Sequence, residues 1–197
     1  MRCSRLVILA LFACWMAAGA VPHGAQAPPS ATKPSAQVKP SVAERPIERL
    51  GWFVGGTWTA EEKTDDGGTL LVKLTCTWAD TKQAILYKVL FESRGKETPQ
   101  YDGMYVWNPE KKSFNLWQVN REGEVAEGSL TVNGEEMDQD VRVVHPDGSL
   151  HFLKAHYTRV NNDAFHFKAW FRLSESAEWQ YALDIIYKRQ PASAAPR

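Results

Sequence analysis

Apolar and polar residues alternate with a period of two along most of the chain between Thr57 and Tyr187. About ten such runs are present, and this alternation is typical of strands that bury one face. Short clusters with turn chemistry, such as Asn133-Gly134, separate the runs and indicate strands joined by sequential hairpins. The runs begin near Thr57, Thr69, Ala84, Tyr101, Ser113, Val125, Glu136, Leu150, Ala164 and Glu178.

A short helix is predicted before the first strand, over Pro46–Gly51, and no later segment favours a helix. An open sheet of about ten strands in so small a domain would expose its edges, whereas closure into a barrel removes them. The sequence therefore predicts an all-β fold, a closed antiparallel meander barrel of about ten strands with a short N-terminal helix.

The hairpin between residues 150 and 173 tests the strand register. A shift of one residue would turn every side chain of a strand to the opposite face. A two-residue loop would mix the faces, whereas a three-residue loop at 161–163 separates apolar from polar residues almost cleanly. The preferred register therefore pairs Tyr157 with Phe167.

The apolar face of such a barrel is predicted to line its interior, because the charged face points to water. The alternation places Phe171 opposite Tyr181 in the last hairpin and Trp58 opposite Leu74 in the first. A barrel of about ten strands can be filled by a packed core or can hold an apolar ligand, and the sequence leaves both open. The predicted lining consists of Trp58, Leu74, Tyr87, Phe91, Tyr157, Phe167, Phe171, Tyr181 and Leu183.

Residues 1–27 have the pattern of a secretory signal peptide. Two arginines precede a short apolar run, and small residues suit cleavage after Ala20 or after Ala27. The protein is therefore predicted to be exported, to the periplasm or outside the cell. A lipoprotein anchored at Cys14 is the alternative, because the segment ending there loosely resembles a lipobox.

Composition divides the rest of the chain into three parts. Residues 28–45 are rich in Pro and Ala and lack aromatic residues, which predicts a disordered tether. Residues 46–189 form the predicted barrel domain, and residues 190–197 are predicted to be a disordered tail. Cys76 has no cysteine partner in the mature chain, so we expect a buried thiol there.

Charge and hydropathy narrow the possible partners. The chain has 23 basic and 23 acidic residues, whereas a nucleic-acid-binding protein would normally carry a basic excess. No long apolar stretch follows the N-terminal one, so no transmembrane span is expected after signal removal. The expected partner is a small apolar molecule.

The segment from Leu50 to Trp58, LGWFVGGTW, leads from the predicted helix into the first strand. A short helix followed by Gly-x-Trp resembles the calycin superfamily of lipocalins and fatty-acid-binding proteins. That resemblance implies that Trp58 plugs one end of the barrel and that a basic residue of the last strand, Arg189, packs over it. The motifs YVWNP at 105–109 and YKR at 187–189 also resemble a bacterial family of secreted lipocalin-like domains, which implies a fold without an agreed activity.

Nitrobindin, a haem-binding barrel that also opens with a helix and Gly-x-Trp, offers a further resemblance. It implies a histidine inside the barrel. His151 shares the face of Leu153 and is the candidate haem ligand, whereas His156 and His166 face outwards in the preferred register. The first strand lacks the glycines expected after that tryptophan, so haem stays an alternative and the main prediction has no cofactor.

Sequence motifs for catalysis or metal binding are not evident. The sequence shows no metal-ligand cluster, nucleophile elbow or phosphate-binding glycine loop. We therefore expect a non-enzymatic barrel that binds or carries a small hydrophobic or aromatic molecule. An isomerase or cyclase that uses the same pocket is the alternative, and it requires an inward ionisable residue with a perturbed pKa.

Overall fold

The computed structural model describes residues 45–64 and 66–190, which form a short 3₁₀ helix and ten antiparallel strands. The helix spans Pro46–Phe53. The strands are β1 (Thr57–Lys63), β2 (Thr69–Trp78), β3 (Ala84–Ser93), β4 (Lys96–Asn108), β5 (Ser113–Asn120), β6 (Val125–Asn133), β7 (Glu136–Val144), β8 (Leu150–Asn161), β9 (Ala164–Arg172) and β10 (Gln180–Gln190).

Several predictions about the chain ends fall on residues that the structure does not describe. The predicted signal peptide lies wholly outside the described residues. The predicted tether and tail lie outside them as well, apart from Arg45 before the helix and Gln190 at the end of β10. Within the described ranges, no helix has the length and apolar character needed to cross a membrane.

The ten strands form a closed barrel. Each strand pairs with its neighbours in sequence, and β1 also pairs with β10, where Trp58 lies opposite Arg189. Closure gives the backbone groups of both outer strands a partner, which an open sheet of this size would lack. The predicted fold, an all-β antiparallel barrel with a short N-terminal helix, is therefore confirmed.

The preferred register of the β8–β9 hairpin is also confirmed, since Tyr157 pairs with Phe167. The connection differs from the predicted three-residue loop. Asn161 already pairs with Ala164, and the register shifts just before that pair, so the extra residue is Val160 within β8. The extra residue lies next to the loop, so the pairing of Tyr157 with Phe167 is unaffected.

The last hairpin contains a bulge that overturns one predicted position. Leu183 pairs with Ala169, as the alternation predicts. Tyr181 pairs with Trp170 and not with the predicted Phe171, because the register shifts between positions 181 and 183. This extra residue in β10 turns Tyr181 to the outer surface, where it is 48% exposed. The prediction that Tyr181 lines the interior is therefore wrong.

The 3₁₀ helix packs its apolar residues into one end of the barrel. Pro46 at the start and the acidic Glu48 in the first turn favour helix initiation. Ile47, Leu50 and Phe53 point inwards and are completely or almost completely buried. The helix therefore closes this end of the barrel with an apolar surface.

Strands β5 to β7 are the region where alternation in the sequence is weakest, and the structure gives the reason. Gln118 and Gln139 face the interior, whereas Trp117 and Val119 are 41% and 44% exposed on the outer surface. Both exceptions reverse the usual preference of polar residues for water and of apolar residues for the core. The two inward glutamines line the interior cavity.

Candidate functional site

The barrel encloses a cavity of about 260 Å³. All ten strands contribute side chains to its wall, and Phe53 of the helix contributes from the closed end. Apolar walls with a few polar groups are usual in small-molecule sites, although this volume is just below the roughly 300–1,000 Å³ of sites for drug-sized ligands. The cavity therefore suits a small molecule.

Trp58 and Arg189 secure the closed end. The Trp58 side chain is completely buried, and its indole Nε1 donates a hydrogen bond to the carbonyl of Phe53 at 2.8 Å. The Arg189 guanidinium lies over the indole ring, 4.1 Å from the ring centre. It also donates to the carbonyls of Val54 and Gly55, at 3.1 and 2.5 Å. Arg189 thus fastens the segment after the helix to the last strand, the arrangement that the calycin resemblance implies.

Aromatic rings fill the remaining space at this end. Phe165 is completely buried at the centre of the group. Its ring centre lies 5.0 Å from that of Trp58, 5.3 Å from that of Phe53 and 4.7 Å from that of Tyr187. Such distances are those of rings in direct contact. The closed end is therefore packed, and the cavity occupies the interior beyond these rings.

Tyr87, Gly103 and Gln118 form the first polar group of the cavity wall. They lie side by side on β3, β4 and β5, since Gly103 pairs with each of the other two. The Tyr87 ring lies over Gly103, where a Cβ atom would be only 2.3 Å from Cζ of the ring. The Tyr87 hydroxyl donates to Oε1 of Gln118 at 2.8 Å. Because Gly103 has no side chain, the Tyr87 ring can lie across β4 and its hydroxyl can reach the side-chain amide of Gln118 on β5.

Tyr105, Tyr157 and Gln139 form the second polar group. The Tyr157 hydroxyl donates to Oε1 of Gln139 at 2.8 Å, and the buried Tyr105 side chain lines the same part of the wall. Tyr105 also stacks against Tyr87, with ring centres 5.0 Å apart. The two groups are therefore neighbours, and the hydroxyl protons of Tyr87 and Tyr157 are used within the wall.

Burial raises the pKa of the thiol and of the phenols in the wall, so these groups are uncharged near neutral pH. Desolvation raises the pKa of the Cys76 thiol to about 12. Glu62 is the only carboxylate that lines the cavity in the described part of the chain. Desolvation is also the largest cause of the raised pKa values of the lining phenols, which belong to Tyr87, Tyr101, Tyr105, Tyr157 and Tyr187.

The structure places most of the predicted lining residues at the cavity. Trp58 lies below it, at the closed end. Phe171, near the end of β9 and beside the β10 bulge, is half-buried and lies outside the lining, and Tyr181 is on the outer surface. The predicted residues in the wall are Leu74, Tyr87, Phe91, Tyr157, Phe167 and Leu183.

Sequence reasoning misses Tyr101 and Tyr105 on β4 and the two glutamines, Gln118 and Gln139. The spacing of Tyr101, Gly103 and Tyr105 is a signal that could have placed both tyrosines on one face. The glutamines carry no such signal, because a polar residue in an irregular strand is expected to face water.

His151, the alternative haem ligand, does not line the cavity. It lies at the start of β8, where its Nδ1 is 2.8 Å from Nε2 of His145. Nδ1 of His145 is in turn 2.5 Å from Oε1 of Glu124. With no histidine in the wall, and a volume below that of drug-sized sites, the described residues do not fit haem. Nor do they contain a group of three or more His, Cys, Asp or Glu arranged to hold a metal ion.

A groove of about 560 Å³ lies on the outer face of strands β5 to β9. Charges of both signs line it, and cations of the chain itself lie over its Trp179 ring. The Arg172 guanidinium is 4.6 Å from the centre of that ring, and the Lys154 ammonium is 4.7 Å from it. This groove is larger than the cavity but open to water, so the enclosed cavity is the better candidate site.

The fold and the cavity together define a small closed β-barrel with an enclosed, mainly apolar site. No family model and no curated protein matches the chain. The crystal structure of Rv2717c from M. tuberculosis is similar, with 16% identity and a TM-score of 0.53, and the match covers 76% of this chain and 99% of that one. The structure of EF1p2_mFAP2b bound to DFHBI has 15% identity and a TM-score of 0.33, with 73% and 99% covered. From the first similarity we take the barrel fold alone.

Proposed function

We propose that this protein binds or carries a small hydrophobic or aromatic molecule in the interior cavity. The observation that supports the proposal is the cavity itself, which lies above a fully packed end and has mainly apolar and aromatic walls. A barrel whose only task was structural would gain stability by filling this space, because empty apolar volume costs packing energy. A ligand that occupies the cavity would recover that energy.

The wall favours binding over catalysis. General acid–base catalysis works best with a pKa near the operating pH. Burial instead raises the pKa of the lining phenols, and it raises that of the Cys76 thiol to about 12. An unreactive thiol and neutral phenols suit a protein that holds its ligand without altering it.

Binding can be tested by isothermal titration calorimetry of the purified protein with naphthalene and with indole, two small aromatic molecules. We expect saturable binding of at least one of them, with a matching rise in the melting temperature. Leu183→Trp would fill part of the cavity and should weaken binding. Ile186→Trp is the matched control, since Ile186 lies on the outer face of the same strand and is 52% exposed. Equal loss of binding in both variants, or no binding in the unaltered protein, would refute the proposal.

We also propose that the barrel works outside the cytoplasm, because residues 1–27 have the pattern of a signal peptide. Cell fractionation of the full chain, with mass spectrometry of its N-terminus, tests this. Cleavage after Ala20 or Ala27 and recovery in the periplasm or medium are expected. Cys14→Ser separates the lipoprotein alternative, since only that form would lose its membrane attachment. An uncleaved, cytoplasmic protein would contradict the proposal.

A further inference from the structure

Two buried side-chain amides supply the unusual polar groups of the cavity wall. Gln118 faces the cavity from β5, and Gln139, which is only 8% exposed, faces it from β7. Each uses its Oε1 to accept a hydrogen bond from a tyrosine, Tyr87 in one case and Tyr157 in the other. The amide oxygens are thus engaged in the wall and the orientation of each amide is set.

The amide nitrogens are not engaged in the same way. Within residues 45–64 and 66–190, neither Nε2 of Gln118 nor Nε2 of Gln139 has a hydrogen-bond partner. Neither atom is sealed inside the protein, since the one sealed and unpartnered side-chain polar atom in those ranges is Nε of Arg172. Donors that face an apolar cavity without an acceptor are costly. The cavity therefore presents N–H groups that a ligand oxygen would satisfy.

Charge further restricts the ligand. The cavity wall contains no lysine, arginine or histidine in the described part of the chain, and its one carboxylate is that of Glu62. An anionic ligand would lose its hydration without gaining a cation, which is strongly unfavourable. An uncharged acceptor, such as a ketone, aldehyde or ester carbonyl, avoids this cost.

We infer that the cavity selects uncharged aromatic molecules that carry a carbonyl-type oxygen, and that the side-chain amides of Gln118 and Gln139 donate hydrogen bonds to this oxygen. The inference rests on the proposed function, because it names the class of ligand for the same cavity. Gln118 on β5 and Gln139 on β7 lie on either side of β6 and supply amide donors to a mainly apolar wall, which restricts the orientation of the ligand as well as its chemistry.

Three naphthalene derivatives of similar shape test the inference by calorimetry at pH 7.5. They are 2-acetylnaphthalene, which is neutral with an acceptor, 2-isopropylnaphthalene, which is neutral without one, and 2-naphthoate, which is anionic. We expect the ketone to bind about tenfold more tightly than the hydrocarbon, as one or two net hydrogen bonds allow. The naphthoate should bind most weakly of the three.

Variants locate the effect at the amides. Gln118→Met removes one amide at similar volume but leaves the Tyr87 hydroxyl without its acceptor. The double variant Tyr87→Phe/Gln118→Met removes both partners and avoids that penalty. Both variants should bind the ketone several-fold more weakly and the hydrocarbon unchanged. Leu153→Met is the matched control in the same wall, and it should leave the ratio of the two affinities unchanged.

The outcomes separate this inference from the function on which it rests. If none of the three compounds binds, the proposed function itself fails. If the hydrocarbon binds as tightly as the ketone, or the naphthoate binds best, the cavity binds ligands but the inference is wrong. The comparison on the unaltered protein decides this even if a glutamine variant fails to fold.

Discussion

The two ends of the barrel interior have similar aromatic content but opposite packing. At the closed end, Trp58 and Phe165 are completely buried and their rings are in contact. In the cavity, Tyr87 and Tyr157 lie along the wall, and the space between the walls is open. The inward residues at both ends come from the same alternating strands, so alternation alone does not decide which part of a barrel is filled.

The difference comes from the helix. Ile47, Leu50 and Phe53 enter the closed end from outside the sheet and fill the space that the strands leave. The segment of the chain that the structure describes provides no second helix for the other end. A barrel of ten strands is wider than its own side chains usually fill. The helix therefore completes a packed core at one end of the barrel. At the other end, which no helix of the described residues fills, the cavity remains.

Truncation of an aromatic residue at each end gives the sharpest test of this comparison. Trp58→Ala should lower the free energy of unfolding by about 3–5 kcal/mol, because it empties a packed region. Phe167→Ala should cost roughly half as much, since the ring already borders open space. Urea denaturation of both variants measures the difference. Equal costs would mean that the two ends are packed alike.

Substitution of Arg189 tests how much this side chain stabilises the closed end of the barrel. Arg189→Met should lower the free energy of unfolding by roughly 2–3 kcal/mol, because it removes hydrogen bonds to backbone carbonyls and the cation–π contact with Trp58. Arg189→Lys should recover little of this, since an ammonium lacks the fork of donors. Lys188→Met, on the exposed face of the same strand, is the control in chemical denaturation and should change the stability by less than about 0.5 kcal/mol.

Substitution of Gly103 tests the close approach of the Tyr87 ring to β4 in the cavity wall. Gly103→Ala should cost about 1–3 kcal/mol, because the new Cβ would displace the Tyr87 ring. Tyr87→Leu removes that ring, so adding Gly103→Ala to it should cost little more. A double-mutant cycle by urea denaturation measures this coupling. Simple additivity of the two changes would show that the close approach has no energetic consequence.

The pH dependence of stability gives the smallest expected effect. Burial, with a smaller contribution from the neighbouring His145, lowers the pKa of His151 below its ordinary value of 6.5. As the pH falls, the unfolded chain therefore takes up this proton before the folded protein does. The contribution of His151 to the free energy of unfolding is fully present above about pH 6.5. It declines as the pH falls further, and the decline ends once the pH is below the pKa of His151 in the folded protein.

His151→Gln should flatten this decline when urea denaturation is repeated between about pH 8 and pH 5. The nearby Glu124 opposes the shift at His151. A slope that is unchanged in His151→Gln would assign the pH dependence to other groups.

The register of the β8–β9 hairpin could be predicted from the sequence alone. Its strands carry clear alternation, and the pairing of Tyr157 with Phe167 follows from it. The β10 strand shows the limit, because an extra residue between Tyr181 and Leu183 changes the face of Tyr181. A bulge lengthens one strand by a single residue and leaves no distinct pattern in the sequence, so its position is set by the partner strand.

The barrel, its strand order and most of its inward residues follow from the sequence alone, since alternation reflects the pleat of each strand and needs no knowledge of distant residues. Tertiary structure alone decided that Gly103 lets Tyr87 reach Gln118, that Gln139 faces inwards, and that the helix fills only one end. These features depend on contacts between strands far apart in the chain. Their energies are settled only when the barrel has closed.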